Sequence, residues 1–220
     1  MLLHLTRIVG FLATIGVWRL IQQAALPWFA VYGIVIGSVV VVFPITWLGR
    51  KLIDASATIQ RVVWITSFVH IALMILLGAS IIEAITLFQE WRGITIPLPA
   101  GFGRVLLYLT GTCLALTVVN LAISGLGAPF AIAFSKRLAS RWMYRWTRNP
   151  MVLCTLATLA SVGLYLQSLA FVLWVVLLVT PAWIHFLRVY EERELEIRFG
   201  TSYTDYRNAT SFLWPRRPRR

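Results

Sequence analysis

Charge is scarce in this chain, and negative charge most of all. Asp and Glu number 8 in 220 residues against 20 Lys and Arg, and charged residues make up 13%. A soluble domain of this length buries a good core but surrounds it with far more polar surface, so a soluble globular fold is excluded. Cysteine numbers 2 and histidine 3. Cys113 and Cys154 both lie in apolar stretches, which offers neither a disulfide framework nor zinc spacing; His4, His70 and His185 are scattered, and no metal site is expected. No Ser-His-Asp or Cys-His arrangement is present for covalent catalysis. The glycine-rich phosphate loop of soluble dinucleotide folds is missing, as is any internal repeat of the inverted-transporter kind.

What the chain has in abundance is apolar length. Hydrophobic residues reach 59%, and mean hydropathy is +0.79. Apolar stretches of about 20 residues are long enough to cross the hydrocarbon core. They recur at 26–48 (with Pro27 in its first turn and Pro44 as an expected kink), at 62–88 and at 103–124. Residues 150–188 hold almost twice that length, divided near Gly163 and the Gln167-Ser168 pair, which predicts a tight helical hairpin. Residues 5–24 are interrupted by Arg19, Gln22 and Gln23 and lack a small-residue cleavage site; they read as an amphipathic or marginally spanning helix rather than a signal peptide. Trp28, Trp47, Trp64 and Trp91 sit near the ends of apolar runs, as rings at a membrane interface do. The fold class expected is an all-α integral membrane protein of about five transmembrane helices, the last two a hairpin followed by a cytosolic C-terminal helical segment. The expected division is a membrane region over 1–124 and a region carrying the chemistry over 125–220, made of a basic loop 125–148, the hairpin and a tail 189–220.

Basic residues give the orientation. Arg50, Lys51 and Arg61 flank the first connection, and Lys136, Arg137, Arg141, Arg145 and Arg148 crowd the loop before the hairpin, whereas 89–102 is poor in charge. Basic loops stay in the cytosol, so both basic connections and the C-terminus are expected there, with five crossings placing residues 1–25 outside and six placing the N-terminus inside. A net charge of +12 also suits nucleic acid, but its placement on loops and tails beside apolar helices argues instead for topology and anionic headgroups. The Trp214–Arg220 tail reads as a headgroup anchor, and Glu83 as an acid close to the outer interface.

Three groups of residues carry chemistry. Half of the acids fall together as Glu191, Glu192, Glu194 and Glu196, directly after the last apolar helix. In a continuing α-helix Arg188 and Glu192 lie one turn apart and can pair, while Glu191 points about 100° away from Glu192. Before the hairpin stands Tyr144-Arg145-Trp146-Thr147-Arg148-Asn149-Pro150-Met151, where Asn149 suits a cap and Pro150 the first helical position, with open N–H groups for a polar or anionic ligand. The third group is Phe199-Gly200-Thr201-Ser202-Tyr203-Thr204-Asp205-Tyr206-Arg207, with Gly200 as a helix C-cap and the tyrosines one turn apart. Because the hairpin leaves and returns to one membrane face, Asn149-Pro150 and Glu191-Glu192 must end as neighbours, forming a polar pocket roofed by the Tyr203–Arg207 segment.

In these residues the chain resembles the isoprenylcysteine carboxyl methyltransferase and phospholipid N-methyltransferase superfamily of integral membrane enzymes. The resemblance rests on Arg148-Asn149-Pro150-Met151, Glu191-Glu192-Arg193-Glu194-Leu195, and Phe199-Gly200 with Tyr203 and Tyr206, preceded by Gly125-Leu126-Gly127-Ala128-Pro129. Val152 and Cys154 depart from the commoner Tyr and Gly at those positions. The resemblance implies S-adenosyl-L-methionine in the pocket and a lipidic or small hydrophobic methyl acceptor reaching it sideways from the bilayer. It implies that Tyr144, Arg148, Asn149, Pro150, Met151, Leu153, Glu191, Glu192, Tyr203 and Tyr206 bind the cofactor. Glu191 and Glu192 would hold its ammonium and ribose hydroxyls, the tyrosines would close over it, and Arg188 with Glu192 would serve catalysis. Two other readings compete: a non-catalytic scaffold using its basic face on anionic lipid, and a relative of the sterol-type NADPH reductases, for which no second set of nucleotide contacts is evident. An inner-membrane location in a bacterium is the expected setting.

Overall fold

The computed structural model describes residues 2–90, 94–125 and 137–217. Trp91, the 126–129 part of the glycine stretch, Lys136 and 218–220 lie outside the described residues. Among those described, six long helical elements run back and forth: α1 (Leu2–Gln23), α2 (Trp28–Asp54), α3 (Ile59–Glu90), α4 (Ala100–Gly125), α5 (Pro150–Tyr165) and α6 (Leu169–Phe199), followed by the short α7 (Thr201–Ala209). No strand forms among them beyond an isolated bridge. Five of the helices are long and apolar enough to cross a membrane, which makes this an integral membrane protein. The exception is α5, whose 16 residues reach about 24 Å.

The expected span 26–48 runs about a turn and a half further, to Asp54. Pro44 is accommodated within it, and the helix widens into a broad turn at Gly33–Gly37, ahead of the proline. At that turn the Val35 carbonyl accepts from Ser80 Oγ at 2.7 Å and from Trp174 Nε1 at 3.1 Å, tying α2 to α3 and α6. Around it lies the core, with Val35, Val42, Phe171, Val179 and Tyr190 at 0–1% exposure. The hairpin turn is at Leu166–Ser168, where Gln167 takes φ 53° and Ser168 caps α6 by accepting from Phe171 N at 3.2 Å. Gly163 lies inside α5, three residues before the break. At the same end Ile96 N donates to the Gln167 carbonyl at 2.9 Å, fastening the proline-bearing connection to the turn.

Residues 5–24, whose crossing the sequence left open, lie alongside α3 and run in the same direction. Arg7 Nε donates to Ser67 Oγ at 3.1 Å, and eleven residues on Trp18 Nε1 donates to the Ile75 carbonyl at 3.2 Å. The start of α1 is therefore at the same end of the bundle as the start of α3, the end of α6 and α7. Arg7 and Thr14, seven residues apart, are both buried on the helix's inner stripe, so polar side chains in this segment serve packing as well as amphipathicity. α4 packs closely on α5: a Cβ at Gly103 would fall 2.5 Å from the Tyr165 backbone nitrogen, so only glycine permits that approach.

Candidate functional site

At the end of the bundle that gathers the basic residues, a cavity of about 360 Å³ opens between α3, α4, α5 and α6. Its rim is polar and its depth apolar. The rim begins where α5 begins. Pro150 occupies the first helical position and Asn149 stands before it, but the Asn149 side chain does not cap the helix. Its Nδ2 donates to the Phe212 carbonyl at 2.9 Å instead, so the first turn of α5 receives no cap from that side chain.

Arg148 holds this corner together. Its Nη2 donates to Glu192 Oε1 at 2.7 Å and its Nη1 to the Arg207 and Thr210 carbonyls at 2.6 and 3.0 Å, while its backbone N–H bonds to the Ser211 carbonyl at 2.9 Å. The segment 210–216 thereby straps the start of α5, helped by Thr147 Oγ1 on the Phe212 carbonyl and by Arg216 N on the Trp146 carbonyl. The Phe212 ring lies beneath two guanidinium groups, Arg188 at 4.7 Å and Arg148 at 5.7 Å.

The two adjacent carboxylates point apart, as neighbours on a helix are expected to. Residues Leu187–Glu191 form a widened turn in which the Glu192 N–H reaches back to the Leu187 carbonyl. Regular one-turn spacing fails there, so Arg188 does not meet Glu192; Glu192 pairs with Arg148 instead. Glu191 faces the cavity, and its carboxylate has no hydrogen bond or ion pair among the described residues. Glu194, also on the wall, is paired with Arg198 at 2.8 Å, and both side chains are nearly buried.

Three tyrosines close the rim. Gly200, at φ 55° and ψ −133°, ends α6 in a conformation that side chains resist, and turns α7 back across the opening. This places Tyr203 and Tyr206 on the cavity with rings 6.4 Å apart, and Tyr206 donates to the Tyr144 carbonyl at 2.6 Å. Burial pushes all three phenols up from their ordinary value, with further contributions from the Glu191 charge at Tyr144 and from Glu192 at Tyr203. They are neutral hydrogen-bond donors at any physiological pH.

Of the residues singled out in the sequence, Tyr144, Arg148, Asn149, Met151, Glu191, Tyr203 and Tyr206 line one cavity. Pro150, Leu153, Arg188 and Glu192 stand behind or beside it. Val152, where the family resemblance puts a tyrosine, is on the wall and buried; Cys154 is set back from it. Sequence reasoning placed Glu194 in the acidic group without giving it a role, and missed Arg137 and Arg198 at the rim and Thr66 and His70 on α3. Only their polarity inside or beside apolar runs marked them out. It also missed Asp54, which accepts from Arg193 Nε at 2.8 Å and from Arg50 and so joins α2 to α6.

Comparison with curated proteins and with solved structures yields no match. The family of phospholipid methyltransferases does match, over residues 100–202, the stretch that supplies α4, α5, α6 and the start of α7. Over that region, which contains most of the cavity's polar rim, the chain is similar to the phospholipid methyltransferases.

Proposed function

We propose that this protein is a membrane-embedded methyltransferase that uses S-adenosyl-L-methionine to methylate a lipidic or small hydrophobic acceptor at the cytosolic interface. One observation carries the reading: a polar rim and an apolar shaft share a single cavity, within the region that matches the family. S-adenosyl-L-methionine supplies an electrophilic methyl group on a sulfonium centre. The chain's contribution is to bind, align and exclude water, for which no nucleophile of its own is required.

The residues at the rim suit such a cofactor. Glu191, a carboxylate without a protein partner among the described residues, is fitted to an ammonium or to ribose hydroxyls, and a low-dielectric setting strengthens either contact. The start of α5, uncapped by any side chain, suits a carboxylate or another polar group. Met151 and Val152 offer apolar contact for the adenosine side, with Tyr144 and Tyr203 as neutral donors over it. Arg148, Glu192 and Arg188 have a supporting part in this reading, since two of them pair with each other and the third lies over Phe212. A volume near 360 Å³ is in the range of small-molecule sites. The shortness of α5 adds a reason for a lipidic acceptor. Its length of about 24 Å, against a hydrocarbon core of about 30 Å, recesses the rim to a depth that acyl chains reach. The basic connections support a cytosolic placement of the rim, where anionic headgroups would meet them.

The deciding experiment is equilibrium binding of radiolabelled S-adenosyl-L-methionine to the purified protein in lipid nanodiscs. Saturable binding displaced by S-adenosylhomocysteine is the expected result. Well-folded protein that binds neither compound refutes the proposal.

A further inference from the structure

Below the rim the cavity continues between α3, α4, α5 and α6 as a shaft walled by Leu73, Leu77, Leu114, Val118 and Trp183. Three polar side chains interrupt this lining: Thr66, His70 and Thr155. Their hydrogen bonding decides what such a shaft accepts. Thr155 gives its hydroxyl hydrogen to the Met151 carbonyl at 2.9 Å and keeps only lone pairs for a ligand. Thr66 is 1% exposed, and its hydroxyl is engaged with the Tyr190 hydroxyl at 2.9 Å.

His70 is the open group. Its Nδ1 lies 2.9 Å from the Thr66 carbonyl oxygen, which can only accept, so Nδ1 carries the hydrogen. An imidazolium without a counter-charge among these apolar walls is costly, and the ring therefore holds that one proton. Nε2 is left with a lone pair and no partner among the described residues. The edge-to-face Phe186 ring, 5.5 Å away, fixes the imidazole's plane. Unlike His185 Nε2, which is fully enclosed, the Nε2 of His70 is not sealed off, and the ring borders the cavity. The shaft thus presents hydrogen-bond acceptors, His70 Nε2 and Thr155 Oγ1, between a polar rim and an apolar end.

We propose that His70 is the specificity-determining residue of the acceptor shaft: it receives a hydrogen bond from an N–H, O–H or S–H on the methyl acceptor and selects against carboxylates. The proposal rests on the methyltransferase reading above and extends it to a helix outside the region that matches the family. A neutral amine, alcohol or thiol at the head of an apolar chain satisfies Nε2 with its own hydrogen and keeps a lone pair on the heteroatom; as that pair takes the methyl, the carbon–sulfur bond of the sulfonium breaks to leave the neutral thioether, and the acceptor's proton passes to Nε2. A carboxylate brings only lone pairs to meet those of His70 and Thr155. A site built to take a ligand's hydrogen leaves its own buried polar group unpaired when that hydrogen is absent, and such sites discriminate strongly.

The test compares dodecylamine, dodecanethiol and dodecanoate as probes in the same nanodiscs, with wild type, His70→Phe and His70→Gln. Cofactor affinity, binding of labelled dodecylamine in the presence of S-adenosylhomocysteine, and methyl transfer are measured side by side. Wild type is expected to favour the amine or the thiol over dodecanoate by tenfold or more. His70→Phe should raise KM for the favoured probe about tenfold, weaken dodecylamine binding in parallel and leave the cofactor Kd unchanged. His70→Gln, whose Oε1 restores an acceptor, should recover most of the loss. If His70→Phe does not fold, His70→Leu is read in its place, with cofactor binding as the sign of a folded site. A wild type that prefers dodecanoate, that methylates no probe while binding cofactor, or whose preference survives His70→Phe overturns the proposal. A wild type that binds no cofactor removes the methyltransferase reading itself, an outcome separate from these.

Discussion

Glu191 and Glu192 are adjacent in sequence, yet replacing each with Gln should damage different properties. Glu191 faces the cavity with no protein partner among the described residues, so its carboxyl oxygens are available to a ligand. A hydrogen bond to a charged group contributes about 1.5–3 kcal/mol, and each 1.4 kcal/mol is tenfold in affinity. On the proposed function, Glu191→Gln should therefore weaken S-adenosyl-L-methionine binding by about ten- to a hundredfold and leave thermal stability nearly unchanged. Glu192 is different, since its carboxylate is the ionic partner of Arg148, with side-chain exposures of 19% and 11%. Removing one member of a fully buried pair costs about 3–5 kcal/mol. Gln keeps one hydrogen bond and the site is partly wetted, which reduces the expected loss to about 1–2 kcal/mol. Thermal unfolding of Glu192→Gln should fall by a few degrees, with a change in cofactor Kd below about threefold. Differential scanning fluorimetry and equilibrium binding on the same preparations separate the two effects. If Glu192→Gln loses affinity as severely as Glu191→Gln while its unfolding temperature holds, the assignment of Glu192 to support is wrong.

Three further outcomes are expected. Gly103→Val should cost about 1–3 kcal/mol, because its side chain must displace the Tyr165 backbone where α4 meets α5; an unchanged unfolding temperature would show that the helices do not approach so closely. Gly200→Ala should cost about 1–3 kcal/mol from backbone strain at φ 55° and should weaken cofactor binding by turning Tyr203 and Tyr206 off the rim. Equal affinity in that variant would detach the tyrosines from cofactor binding. The phenols of Tyr144, Tyr203 and Tyr206 bind their protons more tightly when folded than when unfolded, so their contribution is intact below about pH 10 and is lost as pH rises beyond it. A spectrophotometric titration should show these phenolates appearing only together with loss of helical circular dichroism, and early reversible ionisation of all the tyrosines would contradict the burial described.

The membrane helices and the hairpin were legible in the sequence because hydrocarbon imposes a length and a composition that few other solvents demand. The meeting of Asn149 with the Glu191 stretch followed from the hairpin's return to one face. What was not legible depends on local departures from regular geometry. Pairing Arg188 with Glu192 assumes four residues per contact on an even helix, and the widened turn at Leu187–Glu191 breaks that spacing. Asn149 looked like a cap by residue type, but its amide is drawn off by the Phe212 carbonyl, more than sixty residues away, a partner that no local pattern announces. Thr66 and His70 read as isolated polar residues in an apolar span, and only the packing of α3 against α6 reveals that they face one space with α5. Residues 5–24 were ambiguous because Arg7 and Arg19 look alike in sequence, whereas one is buried against Ser67 and the other lies on the exposed side.

The strap at 210–216 also sets an order of assembly. Arg148 is translated before every group that receives its guanidinium: Glu192 follows 44 residues later, and the Thr210 carbonyl 62 residues later. While α6 is still entering the bilayer, the start of α5 therefore waits at the membrane face with a cation and an asparagine amide lacking their final partners. Completion of the rim is thus a late event in biosynthesis, after the spans are in place, and it converts a set of inserted helices into a formed pocket. A nascent chain halted before Ser211 would hold its membrane topology and still lack the bonds that complete the rim, so insertion of the spans and closure of the pocket are separable steps.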